Sequence, residues 1–331
     1  MRLAPVPSFS FSIMKIAILG AGAMGTALAV HCAKRNRVIL WSIEKDVVED
    51  ISQFSQNRKY LSDVPLPRSV QATSDLSSAV KGAGVIFITV PSFAFREVLA
   101  QLKPFLRPRQ ILCHMTKGIE PASGRRMSEI IKEVLGAPTY VGIGGPMIAR
   151  GMAQGQAAAA CVASTSLKAA RLVARIMAAK NFDARSTNDL KGVEWCGILK
   201  NIYSIALGVC DGLPTDSNTK AVVFVKIMEE MMELVPRLGG KKETVFSYAG
   251  LGDLVTSGYG AGRNRKFGEQ LCGAILSGQT SEGTVEGKAA VKKVAQFLRS
   301  KKIKAPILES VADLCGGSQP SKKMVMEWLN A

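Results

Sequence analysis

One stretch near the start constrains this chain more than any other. Lys15-Ile-Ala-Ile-Leu19 runs directly into Gly20-Ala21-Gly22-Ala23-Met24-Gly25, and a helical pattern follows to about Lys34. A short apolar strand, a Gly-x-Gly-x-x-Gly turn and a helix in succession form the first unit of a doubly wound α/β sheet. Gly20 permits the tight turn, Gly22 lets a pyrophosphate approach the backbone, and Gly25 lets helix and sheet pack closely. Ala23 and Met24 lead into the helix, which runs from about Met24 and whose first amides are unpaired and attract an anion. Alone, such a motif can be a purely structural turn. Its setting decides for dinucleotide binding, because the α/β alternation continues well beyond it.

Short apolar runs recur at Val38–Trp41, Val85–Val90, Ile111–Cys113 and Tyr140–Ile143. Helical stretches from about Lys45, near 93–102 and near 122–135 separate them, and Asn57–Pro67 reads as a polar loop. Strands that are apolar throughout belong to a parallel sheet covered on both faces. After about Thr187 long helical patterns take over, at about 190–210, 217–237, 262–276 and 286–300. Glycine-rich joints at Ala249–Gly262 and Ser281–Gly287 connect the later ones. The expected fold class is α/β: a Rossmann-like doubly wound sheet domain over residues 14–187, then an α-helical substrate and catalytic domain over 188–331. A cleft between two such domains is a common place for ligands. Residues 1–13 precede a second methionine, Met14, and read as a disordered or mis-annotated extension. Pro5 and Pro7 break up any signal-peptide core.

Composition narrows the function classes. No uninterrupted apolar run reaches the roughly 18 residues of a membrane span; the best candidate, Trp195 to Val209, is interrupted by Lys200 and Asn201. Seven scattered cysteines, odd in number and without a Cys-x-x-Cys pair, point to free thiols in a reducing cytoplasm. Two histidines exclude a multi-histidine metal centre, and no metal is expected. The net charge of +17 attracts anions, from phosphorylated metabolites to nucleic acids. Aromatics are too few, at 6%, to support nucleic-acid binding, so the basic runs Arg107–Arg109 and Lys288–Lys304 read as solvated surface.

The interruption at Lys200-Asn201 is the strongest chemical clue. An ammonium inside an apolar helix must snorkel, pair, or be kept for chemistry. Desolvation and neighbouring positive charge both lower a lysine pKa toward neutrality, where it can exchange protons. Of the histidines, His31 falls on the first helix, where packing is its expected role, and His114 follows a strand. Lys117-Gly118 follows the same strand, and Asp253 sits in Gly250-Leu-Gly-Asp-Leu254. Arg263-Asn264-Arg265 opens a helix and offers guanidinium and amides to a phosphate. Pro91, in Val90-Pro91-Ser92, ends a strand on the sheet edge where ligands sit. At the cofactor's 2′ position two readings stand: Glu44, about twenty residues past the motif, suits an NAD ribose, while Ser42 and Lys45 suit an NADP phosphate.

With these motifs in order, the chain resembles the NAD(P)-dependent glycerol-3-phosphate dehydrogenases from about Met14 to about Pro306. The resemblance is carried by Gly20–Gly25, Asn57-Arg-Lys-Tyr60-Leu61, Val90-Pro91-Ser92, Lys117-Gly-Ile-Glu120, Gly145-Pro146 and Leu199-Lys200-Asn201. It continues through Asn218-Thr-Lys220-Ala, Gly252-Asp253-Leu254, Arg263-Asn264-Arg265 and Val285-Glu286-Gly287. It implies that Lys200 donates and accepts the proton, with Asp253 holding and tuning it and Lys117 stabilising oxyanion charge. Asn201 and Gly145 join them around the substrate, and Arg263 and Asn264 reach the substrate phosphate or the cofactor. Pro91, Lys117, Ala149, Arg263 and Glu286 join the glycine turn on the cofactor side. The implied cofactor is NAD or NADP, and the substrates are dihydroxyacetone phosphate and sn-glycerol 3-phosphate. A cytoplasmic homodimer supplying phospholipid synthesis is the implied setting.

Four features depart from the family pattern. Met147 and Ile148 replace a small hydroxyl residue and an aromatic. Gly151 stands where a glutamate is common, Ile43 where many bacterial members carry a basic residue or histidine, and Ser257–Gly262 is longer than in some relatives. Two other readings use the same turn: a ketopantoate reductase-like 2-oxo acid reductase, and a non-catalytic dinucleotide-sensing protein that touches nucleic acid through its charge. The first leaves Lys117 and Arg263-Asn264-Arg265 without a purpose. The second requires binding without turnover.

Overall fold

The computed structural model describes residues 13–276 and 285–330; the expected N-terminal extension and most of the Ser281–Gly287 joint lie outside the described residues. Eight strands form one sheet: β1 (Lys15–Leu19), β2 (Arg37–Trp41), β3 (Val70–Thr73), β4 (Val85–Ile88), β5 (Ile111–His114), β6 (Tyr140–Gly144), β7 (Ala158–Ala163) and β8 (Phe182–Thr187). Their order is β3-β2-β1-β4-β5-β6-β7-β8, parallel at every junction except β6 with β7. The chain leaves β1 toward β2 on one side and returns to β4 on the other. That reversal opens a crevice at the carboxyl edge, where the glycine turn lies.

The apolar strands serve two cores at once. Ala17 and Leu19 of β1, with Ile86 and Ile88 of β4, face a core that is continuous with the later helices. Ile16, Ile18, Val85 and Phe87 face a second core under the helices Ala23–Cys32 and Leu167–Met177. A strand with both faces buried has no polar side to show, which explains the unbroken hydrophobic runs.

Three strands lie outside the apolar runs that mark the others. β3 and β8 are edge strands of mixed polarity, Val-Gln-Ala-Thr and Phe-Asp-Ala-Arg-Ser-Thr. β7, Ala-Ala-Ala-Cys-Val-Ala, is written in the best helix former, and its pairing with β6 and β8 overrides that preference. The helix Leu167–Met177 between β7 and β8 completes the missed segment.

Among the described residues no strand follows Thr187. The helix Leu190–Gly212 opens on an Asp189 side chain that accepts from the Gly192 amide (3.0 Å), and every residue from Gly192 to Cys210 is buried. A helix apolar all round belongs in the middle of a bundle. By length and hydropathy it could also cross a membrane, yet its whole apolar window is buried inside the protein. The helices Ser217–Arg237, Asp253–Tyr259, Arg263–Leu276, Glu286–Ser300 and Pro306–Cys315 surround it. Arg263–Leu276 comes nearest. A Cβ on Gly208 would stand 1.9 Å from the Arg265 carbonyl, and one on Gly268 2.1 Å from the Ile205 carbonyl, so the two backbones touch only because both positions are glycine.

Two expectations of loop are corrected. The glycine-rich joint Ala249–Gly262 is largely helical: a wide helical turn, Tyr248–Gly252, runs straight into the helix Asp253–Tyr259. Its glycines serve contact, since a Cβ on Gly250 would meet the Val245 carbonyl at 2.1 Å. Asn57–Pro67 likewise contains a helical turn, Arg58–Leu61, started by the Asn57 side chain, which accepts from the Tyr60 amide (3.2 Å).

Candidate active site

The site grows from successive strand ends. At the end of β1, Gly20 adopts φ +110°, in the region that favours glycine. A Cβ on Gly25 would lie 1.8 Å from the Gly20 carbonyl oxygen, so the helix Ala23–Cys32 can close onto the turn only with glycine there. Around Gly22 the opposite holds: a Cβ would meet nothing within 4 Å. The turn is packed underneath and open above, as a backbone cradle for a pyrophosphate requires. Thr89, just past β4, donates to the Leu19 and Gly20 carbonyls (3.1 and 2.9 Å). The buried Asn57 side chain donates to the Ala21 carbonyl (2.7 Å) and the Thr26 hydroxyl (2.8 Å). Ala149 begins the short helix Ala149–Ala153, which packs on the helix containing Met24.

After β4, the Pro91 carbonyl accepts from the Ala94 amide (3.1 Å) in a tight turn. Within that turn the Ser92 hydroxyl donates to Glu286 Oε2 (2.9 Å), tying the sheet edge to the helix Glu286–Ser300. After β5 comes Lys117, and after β6 comes Gly145, at φ +151° with room for a Cβ denied by the Ala159 carbonyl at 2.5 Å. Lys117 Nζ donates to the Gly145 carbonyl (2.8 Å) and to Asp253 Oδ2 (2.6 Å).

Asp253 also faces the helical side. Its Oδ1 lies 3.4 Å from Lys200 Nζ, so one buried carboxylate is shared by two ammonium groups. Lys200 donates to the Ser257 hydroxyl as well (2.9 Å). Burial lowers the Lys200 pKa to about 8; Asp253 opposes that shift, while the charges of Lys117 and Arg263 add to it. Asn201 donates to the Lys117 carbonyl (3.0 Å) and accepts from Asn264 (3.0 Å), whose own oxygen accepts from the Gly287 amide (2.9 Å). Arg263 is exposed at the start of its helix.

A second buried charge group backs the first. Glu194, two turns before Asn201 on the same helix, accepts from Arg126 (2.7 Å) and from the Ser128 hydroxyl and amide (2.6 and 2.8 Å). It stands 3.4 Å from His114 Nε2, and burial keeps the His114 pKa below the usual histidine range. A narrow cavity lined by His114, Lys117, Gly118 and Glu194 separates the two groups. Among the described residues no group of three or more His, Cys, Asp or Glu side chains is placed to hold a metal ion.

Comparison with known proteins matches this architecture on both sides. Residues 15–170 match the NAD-dependent glycerol-3-phosphate dehydrogenase N-terminus, and residues 189–326 match its C-terminus. The chain belongs to the glycerol-3-phosphate dehydrogenase family. It is 38% identical over 316 residues to the glycerol-3-phosphate dehydrogenase [NAD(P)+] of Stenotrophomonas maltophilia (strain K279a), covering 92% of this chain and 91% of the relative. The enzyme of that name from Corynebacterium jeikeium (strain K411) is 33% identical over 326 residues, covering 95% and 97%. The crystal structure of glycerol-3-phosphate dehydrogenase from Coxiella burnetii superposes with a TM-score of 0.86 at 32% identity, covering 96% of this chain and 99% of that one.

Against the family pattern, Lys117, Gly145, Lys200, Asn201, Asp253 and Asn264 converge in one hydrogen-bonded group. Gly20, Gly22, Ala23, Met24, Gly25, Pro91 and Ala149 lie around the cradle. Glu286 joins the two regions through Ser92. Arg265, quoted in the same motif as Arg263, is committed elsewhere: it pairs with Asp211, which also takes Lys220 (2.7 Å), and donates to the Gly260 carbonyl (2.9 Å). That bond pins the Ser257–Gly262 segment. His31 packs as expected, bonded to the Met177 carbonyl (2.7 Å). At the departures, Met147 is buried in the sheet-side core and Ile148 and Ile43 are largely exposed.

Sequence reasoning missed Ser257, Thr89 and the Glu194 group. Ser257 had a usable signal, since it stands four residues after Asp253 and therefore on the same helix face. Thr89 had none beyond a hydroxyl at the end of an apolar run. Arg126 and Glu194 are far apart in the chain, and only folding makes them partners.

Proposed function

We propose that this chain is an NAD(P)-dependent sn-glycerol-3-phosphate dehydrogenase, reversibly reducing dihydroxyacetone phosphate to glycerol 3-phosphate. One observation carries the reading: Lys200 is buried, shares Asp253 with Lys117, and has its pKa lowered to about 8. Such an amine is poised to give and take a proton near neutral pH.

The nicotinamide of a bound cofactor supplies and accepts the hydride. The residues of the chain do the rest. In the reductive direction the Lys200 ammonium donates its proton to the ketone oxygen, and the neutral amine recovers it in reverse. Lys117 stabilises charge growing on that oxygen, a contribution of several kcal/mol in a dry site. Asp253 holds both lysines at a fixed separation. Asn201 and Asn264 link the Lys117 loop to the helix starting at Arg263, whose guanidinium and first amides suit the substrate phosphate. Lys117, Lys200 and Arg263 against one carboxylate leave the pocket positive, in keeping with a phosphorylated substrate.

The same reading divides the chain at 187/188, supported by the absence of described strands beyond Thr187. It makes the protein a cytoplasmic homodimer feeding phospholipid synthesis, supported by family resemblance and by free cysteines of which six are buried.

The test is a spectrophotometric assay of NADH or NADPH oxidation with dihydroxyacetone phosphate. Turnover with this substrate, and not with a non-phosphorylated 2-oxo acid, is expected. Reduction of the 2-oxo acid instead favours the ketopantoate reductase-like reading. Tight dinucleotide binding without turnover on either substrate favours a sensing protein.

A further inference from the structure

We propose that Glu44, held between Lys59 and Tyr60, makes the cradle select NADH over NADPH. The inference rests on the dinucleotide role of the glycine turn and goes beyond it. Two anchors set the position of this carboxylate. β2 ends beside the turn, where the Gly20 amide donates to the Trp41 carbonyl (3.0 Å), and Glu44 follows within three residues. From the other side Asn57 hangs from the Ala21 carbonyl, and the helical turn Arg58–Leu61 follows at once. Glu44 spans the gap, one oxygen accepting from Lys59 Nζ and the other from the Tyr60 hydroxyl (2.9 Å). Each oxygen keeps a further acceptor position. A ribose diol can donate to those positions. A 2′-phosphate cannot, and it brings one and a half to two negative charges, roughly, against the carboxylate.

Lys59 does not reverse the sign. Its ammonium is shared with Asp46 (3.3 Å), one cation between two carboxylates. Arg58 is committed to Asp50, through its Nε (2.6 Å) and its backbone amide (2.8 Å). Between residues 44 and 60 the acids Glu44, Asp46, Glu49 and Asp50 outnumber the bases Lys45, Arg58 and Lys59, on a chain whose net charge is +17. Ser42, the alternative phosphate ligand, is buried, and its hydroxyl oxygen accepts from the Glu44 amide (3.2 Å). Lys45 is exposed, where salt screens its charge.

Calorimetric titration of NADH and of NADPH into the full-length protein, at low salt and without substrate, tests this directly. NADH is expected to bind at least about tenfold more tightly, the scale of one close like-charge contact. Glu44→Gln should raise NADPH affinity about tenfold while NADH changes less. Asp46→Asn, at an exposed position that cannot threaten folding, should raise NADPH affinity by a smaller factor of about two to three. Equal affinities in the unmodified protein, tighter NADPH binding, or a preference unmoved by Glu44→Gln overturns the proposal. Failure of both dinucleotides to bind overturns it together with the reading it rests on.

Discussion

At the glycine turn the protein presents backbone: amides, carbonyls and the space left by missing side chains. At Lys200 it presents side chains, two ammonium groups on one carboxylate, gathered from the end of β5 and from two helices. The first region cradles by shape, and its parts are rigid because a Cβ at Gly25 has nowhere to go. The second works by charge, and its parts are coupled because Asp253 answers to both lysines. A change in the cradle should therefore act locally and mostly on binding. A change in the charged group should spread through its partners and act on turnover.

The largest expected effect tests that separation. Lys200→Ala should lower kcat by about a thousandfold, within the range for a lost general acid, while NADH affinity stays within about twofold. Near-normal turnover, or equal loss of cofactor binding, would merge the two regions into one.

Asp253→Asn comes next, at about a hundredfold in kcat, on the scale of a broken charge-assisted contact. It also has a signature in pH. Reduction needs the Lys200 ammonium, so the rate should be flat below about pH 8 and fall above it. Asp253 raises the Lys200 pKa, opposing the larger effect of burial. Its loss should move the falling limb to lower pH, and a limb that stays or moves up would show that the two groups are not coupled.

The smallest effects lie in the cradle and split by position. Gly25→Ala should destabilise the fold by about 1–3 kcal/mol, the usual cost of overpacking, visible as a lower Tm. Gly22→Ala should leave Tm unchanged, because its Cβ meets nothing, yet weaken NADH binding about tenfold. Equal behaviour of the two variants would mean that the cradle is merely a structural turn.

Much of this was legible beforehand, for specific reasons. The cradle could be read because its parts are contiguous and its glycines are demanded by backbone geometry. Lys200 stood out because charge inside an apolar helix is costly anywhere. Ser257 and Thr89 did not stand out, since a hydroxyl is unremarked at almost any position. β7 went unread because alanine favours helix until neighbouring strands claim it. Ala249–Gly262 read as a joint because glycine that permits contact looks, in sequence, like glycine that ends a helix.

The amino-acid sequence by itself determined the local units: the strand–turn–helix that meets a dinucleotide, the alternation that builds a parallel sheet, and the buried helix that carries Lys200. Those depend on residues close in the chain, through hydrogen bonds and side-chain periodicity. Tertiary structure alone decided that Asp253 lies between Lys117 and Lys200, that Arg265 pairs with Asp211 while Arg263 stays exposed with its charge felt at Lys200, and that Glu44 is braced by Lys59 and Tyr60. Electrostatic coupling depends on distance in space and on burial, and a one-dimensional pattern carries neither.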